Sequence, residues 1–225
     1  MGKIITIDGL DGSGKTTQSE RLYEELLAQG KNVKLISFPD YKSPSSALVR
    51  MYLGGEFGKD PEVVNAYAAS TFYAVDRYAS FMRDWKEFYE QPDSVVIATR
   101  YTTSNAVHQL AKIDREKWDE FLSWLSDFEY CKLGIPKPDL VLYLEMKPEI
   151  TEQLTRKRLE ETGQKLDIHE INTDYITKSY KAALYASDKL GWKRICCYDG
   201  KEPLSPAEIE ALIAEQVVML LDVIK

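Results

Sequence analysis

Lys3-Ile4-Ile5-Thr6-Ile7-Asp8-Gly9-Leu10-Asp11-Gly12-Ser13-Gly14-Lys15-Thr16 decides the fold of this chain. Its first half is a β-branched run without breakers, which predicts a buried strand. Its second half, Gly9 to Thr16, satisfies G-x-x-x-x-G-K-[ST] in full. Apolar Leu22, Tyr23, Leu26 and Leu27 follow at helical spacing, and Gly30 then ends the helix. Strand, glycine loop and helix come in the order a phosphate cradle requires. The glycines let successive backbone N–H groups turn toward phosphate oxygens, and the helix dipole points its positive end at the same anion. The Lys15 ammonium reaches the outer phosphates. The Thr16 hydroxyl is a ligand for Mg²⁺. Gly9, Asp11, Gly12, Ser13, Gly14, Lys15, Thr16 and Thr17 are therefore the candidate nucleotide-binding residues, with Lys15 also catalytic.

Strand signals recur outward from this loop. Asn32–Phe38, Ser94–Thr99, Pro138–Leu144 and Lys193–Tyr198 read as strands. Helical readings fall between them: one long helix over Glu62–Tyr89, then Arg115–Phe128, Pro148–Leu159 and a helix ending near Leu190. The last helix opens with Ser205, Pro206 and Glu208, the pattern of a capping box. Alternation of this kind predicts an α/β fold, a five-stranded parallel sheet flanked by helices. Asp40–Pro61, rich in turn residues, reads as a mobile cover with a short helix near Ser46–Leu53.

The chain has 225 residues, 29 Lys plus Arg against 36 Asp plus Glu, and a net charge of −7. One unit over 1–225 is expected. The acidic balance argues against a nucleic-acid polymer as partner, while leaving room for a basic cleft. Three cysteines, Cys131, Cys196 and Cys197, make no disulfide framework and suggest a reducing compartment. With no signal-peptide pattern and no long apolar run, the expectation is a cytoplasmic protein without a membrane partner.

A glycine loop alone does not separate kinases, switch GTPases and motors. A kinase with a small acceptor needs a second cationic set and a closing lid. Tyr73 and Arg77 are four apart and share a helix face. Arg100 follows the third strand at its C-terminal end, where open parallel sheets place ligands. Arg50 and Lys42 lie in the cover. The stretch from Arg156 to Asp167 carries four cations and a glycine, and is the candidate lid. A guanine-reading Asn/Thr-Lys-x-Asp is matched only poorly by Gln164-Lys165-Leu166-Asp167, with no strand before it.

Several separated segments resemble the thymidylate kinases, a family of P-loop nucleoside monophosphate kinases. They are Ile7 to Gln18, Phe38-Pro39, Ala74-Val75-Asp76-Arg77, Arg100-Tyr101 with Ser104, Pro136 to Leu140, and Asp167 to Glu170 with Tyr175 and Tyr180. The resemblance runs from Lys3 to Leu221 and rests on order and spacing. It implies the P-loop NTPase fold with a short lid at about 156–170, ATP as phosphoryl donor with Mg²⁺, dTMP as acceptor, and a homodimer. It further implies that Asp11 bonds the acceptor's 3′-hydroxyl, Tyr73 (or its neighbour Phe72) stacks on the base, Arg77 reaches the base or phosphate region, Arg100 holds the acceptor phosphate and Gln109 lies near sugar and base. The P-loop has Gly12 and Ser13 where some members carry an arginine, which points to the lid cations Arg156 and Arg158 as catalytic. Three positions depart from the family's pattern. Tyr41 stands at an acceptor-site position often held by arginine, Thr99 replaces an acid before Arg100, and Leu154 takes a lid position commonly basic. A kinase of another nucleotide or deoxynucleoside, and a nucleotide-binding homologue with little turnover, are the alternatives these departures leave.

Overall fold

The computed structural model describes residues 1–60, 62–162 and 173–222, apart from the side chains of Arg158, Glu161, Thr162 and Asp222. The chain runs β1 (Lys3–Gly9), α1 (Lys15–Ala28), β2 (Asn32–Ser37), α2 (Ala47–Leu53), α3 (Ala66–Ser80), α4 (Lys86–Tyr89), β3 (Ser94–Thr99), α5 (Thr102–His108), α6 (Trp118–Ser126), β4 (Leu140–Glu145), α7 (Pro148–Thr162), α8 (Thr173–Leu190), β5 (Lys193–Cys196), β6 (Tyr198–Asp199), β7 (Glu202–Pro203) and α9 (Pro206–Asp222).

Strands β1 to β5 form one five-stranded sheet in the order β2-β3-β1-β4-β5, and every neighbouring pair is parallel. β1 is central, so its residues are buried on both faces. Strand alternation then sorts its side chains. Ile5 and Ile7 join Leu22 and Leu26 of α1 and Ile209, Ile213 and Val217 of α9. Ile4 faces the other way, onto Phe81, Trp85 and Tyr101. Each such fully buried aliphatic contributes about 1.5–3 kcal/mol by leaving water.

The five expected strands are all present. The capping box also forms: the Ser205 backbone N–H donates to Glu208 Oε2 at 2.8 Å, and the Glu208 N–H donates to Ser205 Oγ at 3.3 Å. Other expectations need correction. The long helix begins at Ala66, where Asn65 Oδ1 accepts from the Ala68 N–H at 2.9 Å. It then passes through a π-helical turn, Phe81–Trp85, before α4. The helix expected to end at Phe128 stops at Ser126 and continues as a second π-helical turn, Asp127–Lys132. Helix α5 and the β6–β7 hairpin have no counterpart in the sequence reading. Among the described residues, no helix is long and apolar enough to cross a membrane.

The cover is bonded to α3. Asp76, 1% exposed on α3, accepts from the Asp40 backbone N–H at 2.8 Å and from Ser45 Oγ at 2.6 Å. Burial raises the Asp76 carboxyl's affinity for its proton, and the Ser45 and Asp40 hydrogen bonds oppose that.

Candidate functional site

At the C-terminal edge of the sheet, α1 begins straight from the glycine loop. Gly12 and Gly14 hold φ of +80° and +87°, values that glycine adopts without strain. At Gly12 space forbids a side chain as well, since a Cβ would lie 2.7 Å from Thr155 Oγ1 and 2.8 Å from the Thr151 carbonyl. No side chain caps α1. Its opening N–H groups thus face the loop, the arrangement that receives an anion.

Lys15 is nearly buried and donates to the Leu10 carbonyl at 2.7 Å, with Asp11 Oδ1 at 3.6 Å. Burial, and next the neighbouring Arg100 charge, lower its pKa to about 8, against the pull of Asp11 and Asp8. Arg100 itself follows β3 in the left-handed region, φ +61°. Such a conformation costs about 1–3 kcal/mol in a residue with a side chain. Its N–H donates to the Ile7 carbonyl at 3.1 Å, which fixes the turn. Its guanidinium bonds Asp11 and donates toward His108 Nε2 at 3.2 Å, with Asp8 at 3.9 Å. Burial works against the Arg100 charge, but Asp11 and Asp8 outweigh it and raise its pKa above the ordinary value. Asp8 is itself enclosed: Thr103 Oγ1 and Ser104 Oγ donate to it at 2.6 and 2.7 Å. Two cations and two carboxylates thus interlock beneath the loop.

This cluster opens into a cavity of about 650 Å³. Asp11, Gly12, Gly14, Lys15, Thr16 and Thr17 line its loop side, while Tyr41, Tyr73, Arg77, Arg100 and Gln109 line the other. Eleven of the sequence-derived candidates therefore share one space. Thr99 and Leu154, two of the departures noted above, line it too.

Five candidates are not brought there, among them Lys42, which is exposed on the cover. Gly9 lies beneath the loop, where a Cβ would meet Ser13 Oγ at 2.5 Å, and its N–H already serves Asp8 at 2.8 Å. Ser13 is buried and gives its N–H to the Leu10 carbonyl at 3.1 Å. Arg50 ties the cover together, donating to the Tyr41 and Ser43 carbonyls at 3.0 Å and to Ser46 Oγ at 2.6 Å. Arg156 is exposed on α7 and pairs with Glu152 at 2.6 Å, one turn away on the same face. The other lid candidates, the Arg158 side chain and residues 163–170, lie outside the described residues.

Arg77 reaches the cavity already engaged. Its Nε and Nη2 donate to Glu129 at 2.7 and 2.6 Å, and Nη1 donates to the Tyr101 carbonyl at 3.3 Å. Glu129 is 0% exposed, in the second π-helical turn, and also accepts from Asn105 Nδ2 at 3.2 Å. Burial opposes the Arg77 charge and Glu129 sustains it, so its pKa is raised. Asn105, Ser104 and His108 also line the cavity from α5 and carry groups able to read a ligand. The sequence reading missed Asn105 and Glu129. Glu129 stands 52 residues from Arg77, and no local spacing signals that pair.

Mg²⁺ takes hard oxygen ligands and keeps several waters, leaning on substrate phosphates. The Thr16 hydroxyl and the Asp11 carboxylate on the cavity wall are donors of that kind, while Asp8 is fully buried and accepts from Thr103 and Ser104. Among the described residues there is no cluster of three or more His, Cys, Asp or Glu that would hold a metal unaided. The residues therefore fit an ion carried largely by phosphates.

Comparison with known proteins agrees with this geometry. Residues 7–206 match the thymidylate kinase family model. The thymidylate kinase of Mycobacterium tuberculosis is 31% identical over 185 residues, covering 81% of this chain and 84% of that protein. The human thymidylate kinase is 29% identical over 149 residues, covering 65% and 62%. A solved thymidylate kinase from Candida albicans superposes with a TM-score of 0.71 at 21% identity, over 98% of this chain and 92% of the other, and shares the P-loop fold. From its P-loop through the start of its last helix, this chain belongs to the thymidylate kinase family.

Proposed function

We propose that the chain, as a single unit over 1–225, transfers the γ-phosphoryl group of ATP to dTMP, giving dTDP and ADP. The observation that carries this reading is one cavity with a P-loop on one side and Arg100, Tyr73 and Arg77 on the other. An oxygen of the acceptor phosphate donates its electron pair to the γ-phosphorus. The bond from that phosphorus to the β–γ bridging oxygen breaks, and its electrons leave with ADP. No general base is needed, because the attacking oxygen is already an anion. Catalysis then reduces to positioning and charge stabilisation.

Lys15 and the α1 N-terminus hold the donor phosphates, and Arg100 holds the acceptor phosphate. Thr16, with Asp11 through water, would hold Mg²⁺, which supplies charge neutralisation when bound. Tyr73 stacks on the base. Asp11, once released from Arg100, accepts from a sugar hydroxyl. Gln109, 1% exposed with its Oε1 lacking a hydrogen-bond donor, is placed to receive one from the acceptor. Tyr41 borders the acceptor phosphate where an arginine is common, and Arg50 supports it by holding the Tyr41 carbonyl. Arg156 and Arg158 are assigned the transition-state charge, Arg156 by leaving Glu152 as the lid, about 156–170, closes over the donor.

A homodimer goes with this reading. Tyr67, Val75, Tyr78 and Met82 form one stripe along α3 and the turn after it, and all four are more than a third exposed. A cytoplasmic location is supported by cysteines that are all free.

The test is ADP release from Mg-ATP with dTMP, dUMP, UMP, CMP, AMP, GMP and thymidine. Release with dTMP above all others is expected. Release with thymidine or another monophosphate instead would move the acceptor assignment to a sister kinase, and ATP binding without release would mark a protein that has lost transfer.

A further inference from the structure

Lys112, just beyond α5, takes no part in the chemistry above. Its ammonium nonetheless joins three segments. Nζ donates to Tyr52 Oη of α2 at 2.6 Å and to the Val64 carbonyl before α3 at 3.1 Å, and it lies 4.8 Å from the centre of the Tyr52 ring. Tyr52 is 1% exposed. Its ring meets Tyr73 edge-on at 6.5 Å and Phe72 at 6.4 Å. Tyr73 and Leu53, the residue after Tyr52, line the cavity. The charged groups around this lysine are Glu62 and, in the cover, Asp60; Glu62 pairs with Lys178 of α8 at 2.9 Å.

We infer that Lys112 is a positioning residue for the acceptor site: by pinning Tyr52 and the Val64 carbonyl it sets the Tyr73 ring at its stacking position. The inference rests on the reading of Tyr73 as the base platform. A lysine bonded to a buried tyrosine and a backbone carbonyl fixes both the depth of α2 and the start of α3. Those two elements carry Leu53 and Tyr73. The donor side is held separately, by β1 and α1, so the effect is confined to the acceptor.

Burial also pulls the Lys112 pKa down to about 7, and Glu62 and Asp60 oppose this only partly. The lysine therefore sits in this position at a real desolvation cost, which a surface ion pair would not carry.

The test compares Lys112→Met, Lys112→Arg and Tyr52→Phe with wild type by steady-state kinetics. Calorimetric binding of dTMP and of Mg-ATP provides a readout without turnover. In Lys112→Met the KM and Kd for dTMP rise about tenfold, within the range for the two hydrogen bonds lost. In the same variant, kcat and the ATP constants stay within about twofold. Tyr52→Phe shows part of the same rise, and Lys112→Arg restores most of it. Equal changes for ATP and dTMP, or loss of thermal stability with unchanged dTMP constants, would overturn the inference. An active wild type with unaltered variants sinks the positioning of Tyr73 alone. A wild type that binds no dTMP sinks the acceptor reading and this inference together.

Discussion

Arg100 and Lys15 share a neighbourhood but divide the work. Arg100 leans on Asp11, His108 and Asp8 at the end of β3, whereas Lys15 hangs from the Leu10 carbonyl inside the loop. Removing Arg100 therefore weakens the acceptor selectively. Arg100→Ala raises the dTMP KM by about ten- to a hundredfold, as for a lost charged hydrogen bond, and leaves the ATP KM much less changed. Initial-rate kinetics in both substrates check this, and equal losses count against the assignment. Removing Lys15 acts on the transfer itself. Lys15→Ala lowers kcat by at least about a hundredfold, read as ADP release. Lys112 gives a pH signature. Its folded-state pKa is lowered to about 7, below the unfolded value of 10.5. The unfolded chain binds the extra proton across that window, so stability rises with pH between those values and is lowest below pH 7. Urea titrations at pH 6.5 and 9 should show that rise in wild type and a smaller one in Lys112→Met. An identical gradient in both proteins would contradict the half-buried placement of Lys112.

Elements differ in how clearly the residues announce them. β1 was legible because Ile4, Ile5 and Ile7 alternate between two apolar layers in an unbroken run. α9 was legible because Ser205 and Glu208 cap each other through local bonds. α5 was not. Its Thr102, Thr103 and Asn105 are buried yet polar, satisfied by Tyr130, Asp8 and Glu129 from distant parts of the chain. A hydrophobic period cannot report a helix whose buried face is polar. The π-helical turns were equally silent, since one extra residue per turn depends on tertiary packing rather than on composition. The second of them sets Glu129 against Arg77. Most of the cavity wall was nonetheless named in advance: the loop motif and the strand-end position of Arg100 are local signals, while Tyr41 and Gln109 were named only through the family resemblance. Arg50 and Arg156, the candidate arginines whose described side chains do not line the cavity, are exposed cations whose partners the sequence could not rank. The glycine loop makes its own prediction at this scale. Gly12→Ala forces a Cβ into Thr155 and Thr151 of α7 at a positive φ. The strain alone is about 1–2 kcal/mol, so the Kd for Mg-ATP rises by about tenfold or more, while dTMP binding is nearly kept. Calorimetry on both ligands checks the asymmetry, and an unaltered ATP Kd would show that α7 yields.

At the scale of the whole molecule, shape and charge set association. The α3 stripe predicts that Tyr78→Glu converts the protein to monomer at micromolar concentration, read by sedimentation velocity. A wild type that sediments as monomer would remove the dimer from the proposal. Charge has a second effect. The protein carries a net charge of −7, and its substrates are anions. Asp11 already neutralises Arg100 and stands 3.6 Å from Lys15, so the cleft projects little positive potential to set against that field. Nucleotide entry is thus an exchange of partners: a phosphate displaces the Asp11 carboxylate from Arg100, and Asp11 stays in the cleft. Encounter takes place against weak long-range repulsion, which salt screens over about 10 Å at 0.1 M. Stopped-flow association should therefore quicken modestly as salt is raised, opposite to an electrostatically steered enzyme. The ligand gains specificity at the exchange, where only a group able to replace Asp11 on Arg100 is admitted.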